Sequence, residues 1–325
     1  LEKYKKLKDH EQTKDKVSLA GRIMTLRPMG KIAFGHLQDN KGKIQFFVNK
    51  KELAKKEFEL FNLLDLGDII GINGTIFRTK AGEITIFVNK LELLTKSLRP
   101  LPDKWHGLKD VEERYRKRYL DLLLDENVRK RFQIRTKVLK GVRNYLDELG
   151  FEEVETPMFH PLYGGANAKP FMSHMHALDV DFYLRIAFEL YLKRLIIGGY
   201  EKVYEIGRDF RNEGIDHSHN PEFTMIEWYE VNADYQRVMD VTEGLFKYLA
   251  QQIFNKTKMQ IDKHTVEIGR PWPRITMESL IKDRLSIDLE SSKIEDLTEY
   301  CKKNVVELVG GETKGQITFK IFDKK

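Results

Sequence analysis

Residues 17 to 94 alternate apolar and polar positions in five short runs, with Gly, Asn and Lys between them. The runs are rich in β-branched and aromatic residues, which is typical of strands: "VSLAGRIMTL", "IAFGHLQD", "KIQFFVN", "DIIGINGTIF" and "EITIFVNKLELL". After the third run, "KELAKKEFELFNLL" repeats Leu53, Phe58, Phe61 and Leu64 at helical spacing. Five strands with a helix after the third predict an OB-fold β-barrel, a common scaffold for single-stranded nucleic acid. The preceding "EKYKKLKDHEQTKDK" is predicted to be a charged leader.

The apolar period changes to that of helices further along the chain. A first helix is predicted in "RTKVLKGVRNYLDELG" and should end at Gly150, and a second in "ELYLKRLIIGG" should end at the two glycines. A third, "DYQRVMDVTEGLFKYLAQQI", follows. The apolar positions predicted to face a core are Val138, Val142, Tyr145, Leu146 and Leu149 in the first helix, and Val238, Val241, Leu245 and Leu249 in the third.

Two strands between these helices, "KVYEIGRDF" and "EFTMIEWYE", are separated by the polar loop 211 to 220 and should form an antiparallel hairpin. The segment "FEEVETPMF" should be extended, with Pro157 at an edge because proline cannot donate to a ladder. Helices on one side of an antiparallel sheet predict an α+β fold. The predicted domains are a barrel with its leader over 1–97, a linker over 98–118 that begins "LRPLPDKWHG", and the α+β domain over 119–325.

The second hairpin strand carries a carboxylate where its pattern expects an apolar residue. Strand alternation puts Phe223, Met225, Glu227 and Tyr229 on one face and Thr224, Ile226 and Trp228 on the other. The Ile–Trp face can pack under helices, so the other face predicts the wall of a cleft. Arg211, at the start of the loop, could bind a phosphate or carboxylate with both ends of its guanidinium. A solvated polar face is the alternative interpretation.

Charge is distributed unevenly. Residues 1–97 hold 19 Lys+Arg and 12 Asp+Glu, whereas residues 98–325 hold 37 and 38. A basic barrel favours nucleic acid as its partner, although a solvated lysine-rich face would give the same count. No run is long and apolar enough for a membrane span, so we expect a cytoplasmic protein. The single cysteine, Cys301, reads as an ordinary thiol, and the pairs His174/His176 and His217/His219 as a poor metal site.

Several motifs resemble the class II aminoacyl-tRNA synthetases. "FRNEGIDHSHNPEF" resembles their motif 2, and "GFEEVETPMF" their motif 1, with Pro157 as its proline. The segments "RPLPDKWHGLKDVEERYRKRYLDL", "GGANAKPF" and "ELYLKRLIIGGYEKVYEIGRDFRNEG" are similar to the lysine-specific branch of that family. The resemblance runs from about residue 17 to about residue 250, and many segments in one order are a strong signal.

The resemblance implies lysine–tRNA ligation through a lysyl-adenylate, with ATP and Mg²⁺. Arg211 would be the catalytic residue and would contact both the ATP phosphate and the lysine carboxylate. The other implied ATP-binding residues are Glu213, His219 and Phe223, and the other implied lysine-binding residues are Gly165, Glu189, Glu227 and Tyr229. The resemblance implies tRNA(Lys) as a partner, with the anticodon held by Arg27, Phe34, Gln45 and Glu83.

The sequence departs from the family pattern at two points. Phe188 stands where the family has a proline before the glutamate, so the turn that presents Glu189 could differ. Motif 3 and the acidic Mg²⁺ ligands are not found, and we expect them in a C-terminal part outside this sequence. The family also implies a homodimer. The alternatives are an aspartyl/asparaginyl-type synthetase, disfavoured by the two glutamates, and a non-catalytic RNA-binding paralogue.

Overall fold

The computed structural model describes residues 2–102 and 108–324, and the chain divides into two compact units, residues 1–132 and 133–325. Residues 103–107 of the predicted linker lie outside the described residues. The elements of the first unit are β1 (Gln12–Met29), β2 (Ile32–Gln38), β3 (Lys43–Asn49), α1 (Lys55–Phe61), β4 (Ile69–Arg78), β5 (Ile84–Thr95), α2 (Val111–Arg116) and α3 (Arg118–Leu124).

The first unit contains a closed barrel with the strand order β1-β2-β3-β5-β4. All neighbours pair antiparallel except β3 and β5, which are parallel, and α1 lies between β3 and β4 in the chain. The OB-fold prediction is confirmed. The interior is filled by apolar side chains from alternate strand positions, among them Ile23, Phe46, Ile70 and Val88, each 0% exposed.

Part of the charged leader belongs to the barrel. Residues from Gln12 onward already belong to β1, which pairs with β4, and Tyr4 and Leu7 pack against the barrel core. The helix predicted after the third strand is also shorter than the run of apolar residues that predicted it. It covers only Lys55–Phe61, although Leu53 and Leu64 on either side are buried as expected.

The second unit is built from a central hairpin, flanking helices and two small sheets. Its elements are α4 (Glu126–Glu148), which begins before the division, β6 (Glu152–Glu153), β7 (Phe159–His160), β8 (Met172–Met175), β9 (Val180–Leu184), α5 (Glu189–Ile197), β10 (Lys202–Phe210), β11 (Glu222–Glu230), α6 (Tyr235–Phe254), β12 (Lys258–Ile261), β13 (His264–Glu267), α7 (Met277–Leu285), α8 (Ile294–Lys303) and α9 (Lys314–Lys324).

The strands β10 and β11 form the predicted antiparallel hairpin, in register from Lys202 opposite Glu230 to Phe210 opposite Glu222. The short strand β6 joins β10 in parallel, a pairing that the sequence did not predict. Pro157 follows β6 outside any ladder, as its missing N–H requires. The other sheets are β7-β9-β8 and the hairpin β12-β13.

The main core of this unit lies between one face of the hairpin and the helices α4 and α6. Leu146 is 0% exposed and Val241 is 1% exposed, and Ile226 and Trp228 of β11 pack against the same cluster. The predicted apolar faces are confirmed with one exception. Val238 is 43% exposed, because it lies in the first turn of α6, before that helix reaches the core.

The C-terminal segment has a core of its own. Leu297 and Cys301 of α8 pack with Ile317 and Ile321 of α9. Cys301 is a buried free thiol with a raised pKa, because burial disfavours the thiolate. Among the helices of the described residues, none combines the length and apolarity that a bilayer crossing requires.

We expect Gly74→Ala to destabilise the barrel. A Cβ on Gly74 would lie 2.1 Å from the carbonyl oxygen of Phe87 on the neighbouring strand, so backbone would have to shift. Such overpacking lowers the free energy of unfolding by about 1–3 kcal/mol. The measurement is the midpoint urea concentration for unfolding of the barrel.

Gly71→Ala on the same strand is the matched control. Its Cβ would meet only the flexible Leu94 side chain, at 3.6 Å or more, so a change within about 0.5 kcal/mol is expected. Equal destabilisation by the two substitutions would contradict the contact argument.

Candidate functional site

One face of the hairpin gathers most of the charged groups of the second unit's candidate site. Glu205 lies directly opposite Glu227, and Asp209 lies opposite Phe223. Cross-strand neighbours share a face, so Glu205, Asp209 and Glu227 project to the same side. Helix α5 and its N-cap residue cover this side, since Phe188 and Leu192 pack against Val203, Met225 and Tyr229.

Glu227 lies half-buried at the predicted lysine end of the site. It accepts hydrogen bonds from the Phe188 amide and from the Tyr229 hydroxyl, the latter at 3.3 Å. Burial and the neighbouring Glu189 raise its pKa, because both disfavour the charged form. Burial, with Glu227 and Glu189 beside it, also raises the pKa of Tyr229.

Glu189 belongs to the same group of side chains. It starts α5 and pairs with Lys193 at 2.7 Å, and Lys193 lies 6.0 Å from the centroid of the Tyr229 ring. Gly165 touches it from the other side with φ +88°, and a Cβ there would lie 2.8 Å from the Glu189 Cβ. The structure therefore brings together all four residues predicted for the lysine end.

Arg211 lies at the other end, over an aromatic ring. Its guanidinium carbon is 5.1 Å from the Phe223 centroid, and its Nη2 donates to the Ile186 carbonyl at 3.4 Å. Its buried Nε has no acceptor among the residues that the structure describes. A guanidinium with an unused donor beside a half-buried aromatic ring that lines a cleft can take an anionic, planar-ringed ligand.

The loop after β10 closes a cleft of about 540 Å³ around these groups. Its lining residues include Arg211, Glu213, His219 and Phe223. Asp216 shapes the loop by accepting from the Ser218 and His219 amides at 2.7 and 2.8 Å, and the donors lower its pKa. The sequence analysis missed Asp216, although an Asp two residues before Ser in a polar loop is a common turn signal.

A buried ionic cluster supports the covered face. Arg185, 1% exposed, donates to Glu205 at 2.6 Å and to the Arg208 carbonyl at 2.9 Å, and its guanidinium lies 4.2 Å from the Phe188 centroid. Asp209 lies 3.2 Å from its Nε. This cluster could not be predicted from the sequence, because Arg185 has no local signal of burial.

The position of Phe188 explains how α5 starts without a proline. Phe188 is the N-cap residue of the helix, with φ −86° and a side chain that is 0% exposed. Its ring stacks beneath the Arg185 guanidinium while its amide binds Glu227. The aromatic residue thus links the buried cluster to the site.

The histidine pairs do not form a metal site. His174 binds the carboxylates of Asp179 and Asp181, and His219 binds Asp216. Within residues 2–102 and 108–324, no group of three or more His, Cys, Asp and Glu side chains could hold a metal ion.

The barrel carries a second candidate site on its outer surface. Phe34 and Phe47 have ring centroids 4.8 Å apart, and Phe87 lies 5.4 Å from Phe47. Arg27 is the cross-strand partner of Phe34 and is exposed. Half-buried aromatic rings beside an exposed cation suit base stacking.

Polar groups border these rings. Gln45 donates to Glu83 at 2.7 Å, and the other Glu83 oxygen lies 2.8 Å from His36. Gln45 also accepts from Thr85 at 2.7 Å. The four residues predicted for the barrel therefore lie on one surface in two groups, and His36, which the sequence analysis missed, joins the polar group.

Family models match both parts of the chain. Residues 17–94 match the OB-fold nucleic acid binding domain, and residues 110–319 match the model described as tRNA synthetases class II (D, K and N). The chain belongs to the class II tRNA synthetases. The resemblance read from motifs 1 and 2 is thereby confirmed.

Curated relatives within this synthetase family carry a more specific name. A lysine–tRNA ligase of Bacillus subtilis (strain 168) is 48% identical over 316 residues, which is 97% of this chain and 63% of the relative. Lysine–tRNA ligases of Thermoanaerobacter pseudethanolicus and Carboxydothermus hydrogenoformans are 49% and 48% identical over 97% and 98% of this chain, and over 64% and 66% of their own lengths. The chain thus spans less than two thirds of these class II synthetases.

We expect Gly207→Ala to destabilise the synthetase hairpin. A Cβ on Gly207 would lie 2.4 Å from Arg185 Nη2 and 3.2 Å from the Phe188 ring. The guanidinium cannot move aside without losing Glu205, so a loss of about 1–3 kcal/mol is expected. The rate of hydrogen exchange at the β10 amides measures this loss of stability.

Gly315→Ala in α9 is the control for this substitution. A Cβ there meets nothing within 4 Å, and alanine favours helices, so exchange in β10 should not change. Unchanged β10 protection in Gly207→Ala would show that Arg185 has room to move.

Proposed function

We propose that the protein containing this chain attaches L-lysine to tRNA(Lys) through a lysyl-adenylate. The observation that carries the proposal is the half-buried Glu227, with Glu189 and Tyr229 beside it. Buried carboxylates without a full counter-charge favour a bound ammonium group, which would compensate them. The lysine–tRNA ligase names of the relatives support the same substrate.

The acidic end would select lysine over uncharged amino acids of similar length. Such a substrate would leave the half-buried Glu227 without a counter-charge, and polar mismatches of this kind can reject an analogue by roughly 10⁴-fold. An acidic side chain would add repulsion, which disfavours the aspartyl and asparaginyl specificities.

At the other end, Arg211 would contact the ATP α-phosphate and the carboxylate of lysine. Its unused Nε donor and its position over Phe223 support this role, with adenine stacked on the free part of the ring. Glu213 and His219, which line the same cleft, would hold the bent nucleotide. Gly165 would let the backbone approach the amino acid.

The reaction needs position and charge more than a protein nucleophile. The lysine carboxylate attacks the α-phosphorus and pyrophosphate leaves. A terminal ribose hydroxyl of the tRNA then attacks the carbonyl carbon of the aminoacyl-adenylate, the acyl–phosphate bond breaks and AMP leaves. Arg211 would align the first two reactants and stabilise the negative charge that develops on the phosphate oxygens.

The described residues do not fit a Mg²⁺ site, since they hold no suitable cluster of acidic ligands. We therefore assign no step to Mg²⁺ within residues 2–102 and 108–324.

The barrel, as a domain over 1–97, would bind the anticodon, with Phe34 under a base and Arg27, Gln45 and Glu83 at its edges. A homodimer and a cytoplasmic location stay predictions.

We expect Glu227→Gln to weaken lysine binding far more than ATP binding. Loss of one charge-assisted hydrogen bond costs about 1.5–3 kcal/mol, or roughly 10- to 100-fold in affinity. Calorimetric titration of the full-length protein with lysine and, separately, with ATP measures both. Glu222→Gln, on the same strand but exposed, is the control and should change neither. Unchanged lysine affinity in Glu227→Gln would refute the role of Glu227.

We expect Phe34→Leu to weaken binding of an anticodon stem-loop of tRNA(Lys) by roughly 5- to 100-fold, because base stacking on an aromatic ring contributes about 1–3 kcal/mol. Lysine-dependent pyrophosphate exchange should be unaffected. Phe58→Leu on α1, another half-buried phenylalanine of the same unit, is the control. Equal losses in the two variants would assign the effect to barrel stability instead.

One assay tests the function as a whole. Pyrophosphate exchange by the full-length protein with each standard amino acid should respond to lysine alone. A response to aspartate or asparagine alone would move the protein to the related specificities, and no response would favour a non-catalytic RNA-binding role.

A further inference from the structure

Asp209 is a buried carboxyl group that the proposed reaction does not use. Its side chain is 0% exposed, and among residues 2–102 and 108–324 neither of its oxygens has a hydrogen-bond donor. The nearest cation is Arg185, whose Nε lies 3.2 Å from Asp209 Oδ1 but donates to the Arg208 carbonyl at 2.9 Å. A buried carboxyl without donors needs an explanation other than packing.

Arg185 does not neutralise Asp209, because the charge of Arg185 is already paired with Glu205. Its Nη1 donates to Glu205 at 2.6 Å, and the second Glu205 oxygen accepts from the Thr156 hydroxyl at 2.7 Å. One guanidinium therefore faces two buried carboxyls, of which Glu205 holds the hydrogen bonds. Asp209 is therefore the carboxyl group of this cluster whose protonation state can change.

The groups that act on Asp209 come from every element around it. Arg185 lies on the segment before α5, Glu205 on the same strand β10, Glu227 on β11, and Arg211 just beyond the end of β10. Burial is the largest influence and, with Glu227 and Glu205, raises the pKa of Asp209 to about 7, against the opposing effect of Arg185 and Arg211. Two of these four groups, Glu227 and Arg211, are the proposed contacts for the substrate amine and for the phosphate.

We propose that Asp209 is a positioning residue whose protonation is coupled to substrate binding through Glu227 and Arg211. This inference rests on the proposed function, since it needs a cationic amine at Glu227 and an anionic phosphate at Arg211. A bound ammonium favours the Asp209 carboxylate, so lysine binding releases a proton. A bound phosphate offsets the charge of Arg211, so ATP binding takes up a proton.

The coupling has a measurable size near neutral pH. With a pKa of about 7, Asp209 is partly protonated at pH 7, so a bound ammonium that lowers this pKa should release a fraction of a proton per lysine. The α-amino and side-chain ammonium groups of lysine stay protonated at this pH and add little to the count.

The test is calorimetric titration of the full-length protein with lysine at pH 7, in two buffers with different ionisation enthalpies. The wild type should release a fraction of a proton per lysine, and Asp209→Asn should release clearly less, while still binding lysine. ATP titrated in the same way should show uptake of a proton in the wild type and a smaller uptake in the variant. Asp240→Asn, exposed and paired with Arg274, is the control and should behave as the wild type.

Asp209→Asn is expected to fold. A carboxyl with a raised pKa contributes stability at low pH that is lost as the pH rises through about 7, so removal of its charge should stabilise the protein above that pH. A purely structural role would leave the proton count unchanged.

The outcomes separate the two proposals. Lysine binding with equal proton release in wild type and Asp209→Asn would overturn the role of Asp209 and leave the proposed function intact. Failure of the wild type to bind lysine would overturn the proposed function first.

Discussion

The ion pair between Arg185 and Glu205 is the contact on which the geometry of the second unit's site depends. Both side chains are buried, and Arg185 also donates to the Thr156 and Arg208 carbonyls. It therefore fixes the end of the β6 segment and strand β10 against the chain that leads into α5. A buried ion pair gains little net stability over apolar packing, yet loss of one partner costs about 3–5 kcal/mol, so the pair specifies a single arrangement.

That arrangement delivers three site contacts from one short segment. The Ile186 carbonyl accepts from Arg211, the Phe188 amide donates to Glu227, and Glu189 begins the helix directly afterwards. The two ends of the candidate site are thus held by three residues within a four-residue stretch that directly follows Arg185. The glycine at 207 makes the arrangement possible, since any side chain there would occupy the space of the guanidinium.

The barrel follows a different principle. Its interior is already filled by other apolar side chains. The half-buried rings of Phe34, Phe47 and Phe87 are not part of that core, and they form a separate apolar surface on the outside. A surface of this kind beside an exposed arginine is costly for a protein without a partner and useful for one that binds bases. The net positive charge of residues 1–97 supports the same type of partner.

The sequence by itself determined the barrel strands, the central hairpin and the helices α4, α5 and α6, and through its motifs the family. Alternation gave the barrel strands and the β10–β11 hairpin, and helical spacing gave the core faces of α4 and α6, because these periods follow from local backbone geometry. Glu227, Arg211 and Phe223 were found because they lie on one hairpin, where parity and the loop fix their faces.

Only the tertiary structure decided which side chains lie behind Glu227, Arg211 and Phe223. Arg185, Glu205 and Asp209 meet because a segment distant in sequence crosses the hairpin, and no local pattern separates a buried arginine from an exposed one. The same holds for His36 on the barrel and for Cys301 between α8 and α9. Burial and charge pairing are sums over neighbours brought together by folding, so they cannot be read from the order of residues along the chain.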